Sequence, residues 1–226
     1  MAVMTVTRTT IGKKVLMAVT GLIWIGFLFF HMFGNTKAFF GAEYFNHYAE
    51  ALREFGAPVL AHGQFLFLFR IVTVTALAVH IWMAVSLTRR NLTSRGSRYA
   101  VHKKVHADAA SLTMRYGGIA IALFLLFHLA QFTWGVEAVL PSYQEGMPYE
   151  NMIAGFSSLP VTLLYLVALV FVGLHLYHGT WSMFQTLGLN NSRSTTGLHW
   201  FALALAVIIA GGFALVPLAV TFGYLR

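Results

Sequence analysis

Five stretches of this chain are apolar over the length a bilayer demands, and few folds remain open to such a sequence. A hydrocarbon core about 30 Å thick takes about 20 helical residues to cross. Residues 15–33, 65–87, 112–134, 159–184 and 201–222 each supply such a run. Lipid offers no hydrogen bonds, so backbone groups must pair within the segment, and helices are the expected solution. Charged residues make up 10% of the chain, against about 25% in a soluble domain. A soluble enzyme, a disordered chain and a disulfide scaffold are thereby excluded. The expectation is an all-α integral membrane protein, one membrane domain over residues 1–226 with five transmembrane helices in a bundle.

Charge sets the expected orientation. Arg8, Lys13, Lys14, Arg89, Arg90, Arg95, Arg98, Lys103, Lys104 and Arg193 all fall on one side of the spans, whereas Lys37, Arg53 and Arg226 fall on the other. Cytoplasmic loops collect Lys and Arg, which puts the N-terminus in the cytoplasm and the C-terminus outside. The net charge of +8 therefore reads as topology and not as a nucleic-acid surface. Glu43, Glu50, Glu54, Glu137, Glu145 and Glu150 lie in the two long outer loops. In the first, Tyr44, Tyr48, Leu52 and Phe55 recur at helical spacing, as in a helix lying flat at the interface. The 135–157 loop reads similarly, with a plain connection as the alternative.

Cysteine is absent, so thiolate metal sites and cysteine-ligated clusters are excluded within this chain. Histidine is the remaining strong donor. His31, His80, His128, His175 and His178 lie inside four of the spans, where ionisable groups are rare and point to function. Depth sorts them. At 1.5 Å per residue, His31 and His128 each lie about 25 Å along helices that start at the inner face. His80 lies about 12 Å from the inner end of span two, and His175 falls in the inner half of span four. An outer pair, His31 and His128, and an inner pair, His80 and His175, result. Two imidazoles at one depth on two helices suit one six-coordinate haem, so two levels predict two b-type haems stacked across the membrane. The metal ligands are then His31, His80, His128 and His175, provided spans one and three, and two and four, face each other.

Smaller features fit this frame. Gly21 and Gly118 each stand ten residues before a span histidine, about 15 Å inward, where a missing side chain would let a macrocycle approach. Ordinary small-residue packing explains them equally well. His175 and His178 share a face only roughly, and cannot both bind one iron. Depth favours His175, leaving His178 to bond a haem propionate, a quinone or a partner. Arg115, in the inner turn of span three, pairs with a propionate or snorkels to the headgroups. Arg70 poses the same question outside. His47, His62, His102, His106 and His199 lie in loops or at span ends, where solvent is available, and read as structural. Pro217 is expected to kink span five.

With these residues in place, the chain resembles the diheme cytochrome b membrane anchor of succinate dehydrogenases and fumarate reductases, the five-helix single-subunit type. The resemblance covers nearly the whole chain. It rests on Phe30-His31, the 41–46 stretch, Val79-His80, Phe127-His128, and above all the block from His175 to Gly188, with Tyr177, His178, Gly179, Trp181, Ser182 and Phe184 between. In that family the fourth ligand stands four residues before the glycine, which here is His175. Some fumarate reductase relatives carry a membrane glutamate two residues before it; this chain has Gly173, so no proton route through that position is implied. The resemblance implies a subunit of a membrane enzyme, complex II, that lacks the dicarboxylate site itself. It would sit multi-pass in the cytoplasmic membrane, partnered by a flavoprotein subunit and an iron–sulfur subunit. Electrons from succinate oxidation would reach a bound quinone, menaquinone in the diheme type, by way of two haem b. The basic segment 89–104 would dock the iron–sulfur subunit, with a topology signal or an anionic-lipid contact as alternatives. A higher oligomer of the complex, the quinone-binding residues and the direction of turnover stay open.

Two other readings compete. A cytochrome b anchor of another respiratory dehydrogenase would share the chemistry without the 175–188 block. The type with both haems on one helix pair needs histidines about thirteen apart on one helix, a spacing absent here. A proton-coupled transporter would use histidine relays and show broken helices or an internal repeat.

Overall fold

A computed structural model describes residues 7–93 and 109–226. Among them the chain is helical without strands: α1 (Thr10–Thr36), α2 (Ala42–Glu54), α3 (Gln64–Thr93), α4 (Ala109–Phe132), α5 (Pro148–Phe156), α6 (Leu159–Thr186) and α7 (Thr195–Thr221). Five of these, α1, α3, α4, α6 and α7, are long and apolar enough to cross a membrane. Each covers most of its expected span; α1 and α7 begin several residues earlier than the apolar run, and α3 ends several residues later. Helical hydrogen bonding continues into the headgroup region after the apolar run has ended, because the residues there need not be apolar to stay helical. Arg95, Arg98, His102, Lys103, Lys104 and His106 lie outside the described residues.

Local chemistry fixes the helix ends. Thr9 caps α1, its Oγ1 accepting from Gly12 N at 3.0 Å; proline opens α5 and stands in the first turn of α6, where its missing N–H costs nothing. After α1 a short 3₁₀ turn, Lys37–Phe40, ends at Gly41 with φ +95°. That left-handed angle suits glycine and redirects the chain into α2. Pro217 lies inside α7, which continues past it to Thr221.

Helix packing runs α3–α1–α7–α6–α4, with α1 also against α6. Neither α1 with α4 nor α3 with α6 is among the closely packed pairs. One apolar cluster, with Val172, Leu176, Ala206 and Ile209 at its centre, joins α6 to α7. A second closes the end that bears the glutamates: Ala38, Phe45, Tyr149, Met152, Phe156, Tyr165 and Val216 pack together there. Helices α2 and α5 form a lid over this end. Asn46 ties them, donating to Glu150 Oε2 at 3.0 Å and accepting from Tyr149 N at 3.0 Å. Of the expected stripe on α2, Tyr48 and Leu52 are half-buried, Tyr48 against Gly34. Phe45 is buried while Tyr44 and Phe55 stay exposed, because the exposed aromatics meet neighbours of their own: Tyr44 the Phe40 ring at 5.1 Å and Phe55 the Phe65 ring at 4.7 Å.

Candidate functional site

The span histidines meet in two pairs across the bundle. The His31 ring of α1 and the His128 ring of α4 lie 5.9 Å apart, centroid to centroid, with an interplanar angle of 81°. The His80 ring of α3 and the His175 ring of α6 lie 6.2 Å apart at 56°. Each pair thus spans two helices that do not pack closely, and the side chains reach across the gap. All four rings are partly buried. His175 faces His80; His178, one turn nearer the basic end of α6, is also partly buried.

The surroundings suit two of these rings to one tautomer. Tyr165 is buried, and its hydroxyl donates to Gln131 Oε1 at 2.8 Å while touching His128 Nδ1 at 3.1 Å. A phenol has one proton. With that proton engaged by Gln131, the phenol oxygen can accept from His128 Nδ1–H, the arrangement that leaves the Nε2 lone pair free. Thr20 does the same for His80. Its hydroxyl lies 2.8 Å from the Leu16 carbonyl and 3.1 Å from that of Met17; with its one proton on a carbonyl, its oxygen can accept from His80 Nδ1–H at 3.1 Å. Metal-binding histidines characteristically give the second ring proton to such an acceptor, which orients the ring and raises its basicity. His31 is oriented by packing instead, stacked on Phe27 at 5.2 Å and 11° and tilted against Phe213 at 5.6 Å.

The glycines stand against the second pair. A Cβ on Gly21 would lie 3.5 Å from His80 Cε1, and one on Gly118 3.9 Å from His175 Cε1. Gly155 makes room for Gln131, whose Nε2 would lie 2.7 Å from an added Cβ. Gly173 faces α7, where an added Cβ would meet Ala210 Cβ at 3.5 Å.

Arg115 and Arg70 are both exposed. His62 lies 3.8 Å from Glu50 and His47 is exposed. His199 is more enclosed than a span-end residue is expected to be. It stacks on Trp181 at 3.6 Å and accepts or donates one bond with the Tyr177 hydroxyl at 3.2 Å. Thr20, Gln131 and Tyr165 were not among the sequence-derived candidates. Tyr165 carries a usable signal, since it stands ten residues before His175, the offset that links Gly21 to His31 and Gly118 to His128.

Both pairs fit a six-coordinate metal. Two metal–nitrogen bonds of about 2 Å, with roughly 1 Å from each nitrogen to its ring centre, place two axial imidazoles about 6 Å apart. Four buried polar atoms among the described residues have no hydrogen-bond partner: Trp24 Nε1, Gln131 Nε2, His175 Nδ1 and Thr180 Oγ1. Buried N–H groups in lipid require acceptors, and a porphyrin brings carboxylates as well as a metal. A family model described as the succinate dehydrogenase/fumarate reductase transmembrane subunit matches residues 86–211. No curated protein and no solved structure matches the chain.

Proposed function

This chain belongs to the succinate dehydrogenase/fumarate reductase transmembrane-subunit family, and on that premise we propose that it is a diheme cytochrome b anchor. As a member it is a multi-pass membrane protein with an anchoring role in an oxidoreductase complex. The finer reading is that residues 1–226 form one membrane domain with the N-terminus in the cytoplasm. The anchor holds a flavoprotein subunit and an iron–sulfur subunit at the cytoplasmic membrane and serves a quinone, menaquinone by resemblance to the diheme type. The lysine and arginine asymmetry between the two sides supports the orientation.

The two cross-bundle imidazole pairs carry this reading. His31 and His128 would hold one haem b, His80 and His175 the other. When bound, the haems supply one-electron transfer between the iron–sulfur partner and the quinone. The chain's own work is to place neutral nitrogen donors at two depths in lipid and to keep water away. His128 and His80 would present Nε2 with Tyr165 and Thr20 accepting hydrogen bonds from their Nδ1–H groups. Trp24 Nε1 and Gln131 Nε2 are donors for acceptor groups on the macrocycles or the quinone. His178 lies at the level of the basic-end pair and serves a propionate or the quinone, not the iron.

The test is replacement of each span histidine by alanine, with haem counted per chain as the pyridine haemochrome. His31, His80, His128 and His175 should each cost at least one haem, and His178→Ala should keep two. A colourless wild-type chain assembled with its partners would overturn the proposal. Haem lost from His178→Ala but kept in His175→Ala would reassign the fourth ligand.

A further inference from the structure

The basic end of α3, which the resemblance would give to docking the iron–sulfur subunit, carries a stripe that is apolar at one end and basic at the other. Trp82, Val85, Ser86, Arg89, Arg90 and Thr93 recur at spacings of three and four, so they share one helix face. They line a groove of about 260 Å³. The face changes character along its length: Trp82 and Val85 are 60% and 43% exposed, a hydroxyl follows, then two exposed guanidinium groups. From Trp82 to Arg90 is about 12 Å along the axis. Helix α1 closes one side, with Lys13 Nζ donating to Ser86 Oγ and Arg90 donating to Thr10 Oγ1 at 3.0 Å. Three cations therefore converge. Among the described residues the ion pairs, Arg53–Glu50 and His62–Glu50, lie at the opposite end of α3, and no described carboxylate pairs with this cluster.

We propose that this groove is a binding site for one anionic glycerophospholipid, with its phosphate against Arg89 and Arg90 and an acyl chain against Val85 and Trp82. A guanidinium pairs with two phosphate oxygens at once, and uncompensated positive charge selects an anionic headgroup over a zwitterionic one. The apolar half excludes a soluble phosphate as the intended ligand, because a free anion would leave Trp82 and Val85 uncovered. It also argues against a soluble protein partner, which does not reach below the headgroups.

The test uses the full chain purified in detergent, delipidated, and titrated with phosphatidylglycerol while bound lipid is counted by native mass spectrometry. Wild type should hold one phosphatidylglycerol. Arg89→Gln/Arg90→Gln should bind it roughly 30-fold more weakly, about 1 kcal/mol for each basic residue lost near the surface. Lys14→Gln/Arg193→Gln removes the same charge from the same side and should stay within about twofold of wild type. Arg89→Lys/Arg90→Lys, which keeps the charge but not the two-oxygen pairing, should bind between wild type and the glutamine variant, which separates lost charge from a misfolded chain. Equal loss in the Lys14/Arg193 variant would overturn the site in favour of diffuse surface attraction. Equal affinity for phosphatidylcholine, or displacement by glycerol phosphate at the concentration of the lipid, would overturn it also. Release of the soluble subunits from Arg89→Gln/Arg90→Gln with lipid retained would assign the face to a protein instead.

Discussion

Tyr165→Phe isolates what one hydroxyl does for one imidazole. The ring contacts survive, including Phe124 and Phe156, each at 4.8 Å. The oxygen that accepts from His128 Nδ1 and donates to Gln131 disappears. Two consequences separate. The fully buried Gln131 loses the donor to its Oε1, and an orphaned buried acceptor costs roughly 1–3 kcal/mol of stability, towards the low end inside a membrane. If His128 holds a haem as proposed, its imidazole also becomes a weaker donor, because an acceptor on the second nitrogen raises ligand basicity. A weaker donor favours the reduced iron. If the lost hydrogen bond differs by about 1 kcal/mol between oxidation states, the potential of that haem rises by about 40 mV, given 59 mV per tenfold for one electron. The assay is a redox titration of the intact complex followed at the α-band, resolved into two one-electron components. One component should rise by about that amount and the other stay put. Adding Gln131→Leu should recover part of the thermal stability without restoring the potential. Equal movement of both components, no movement, or a fall would refute the tautomer and the level assigned to Tyr165.

Two further outcomes check the same architecture from the other pair. Thr20→Val keeps the shape and removes the acceptor for His80 Nδ1; it should raise the second redox component by a similar 40 mV or so, and movement of the component that Tyr165→Phe moves would merge the two levels into one. Gly21→Ala adds a Cβ at an ordinary 3.5 Å from His80 Cε1 and should keep two haems per chain, whereas Gly21→Leu fills the space beside that ring and should leave one, read as haem per protein after purification.

Element positions and histidine depths were legible in the sequence for the same reason. Both depend on rise along an axis, which residue number alone supplies. The pairing of His31 with His128 and of His80 with His175 follows from that count, and the ring distances agree with it. What rotation about the axis decides was not legible. In a soluble helix the apolar stripe marks the inner face; in lipid the outer face is as apolar as the inner one. Phe29 and Phe30 stand beside His31 and remain 42% and 67% exposed, and nothing in their chemistry distinguishes them from Phe27, which stacks on the histidine ring. Arg115 was ambiguous for this reason, since depth places it near the basic-end pair and rotation alone decides what it faces. The basic residues of α3 left docking, topology and anionic-lipid contact open for a related reason, because charge alone does not show which apolar residues share their face.

The residues that tune the site became findable only once the two levels were combined with the helix directions. Three helices that carry a histidine at one level present something particular ten residues away at the other. On α1 and α4 it is a glycine, which leaves space beside a ring on the facing side. On α6 it is Tyr165, which orients the ring on α4. The fourth helix breaks the rule, with Arg70 exposed at that offset from His80. Space is therefore provided at the His80–His175 level by α1 and α4, and a hydrogen-bond acceptor at the His31–His128 level by α6. The two levels are chemically unlike: one is lined by missing side chains and a threonine, the other by aromatic rings, a phenol and a buried amide. Axial ligands set in surroundings that differ this much should not be isopotential, and a single unresolved redox component across both levels would contradict the asymmetry described above.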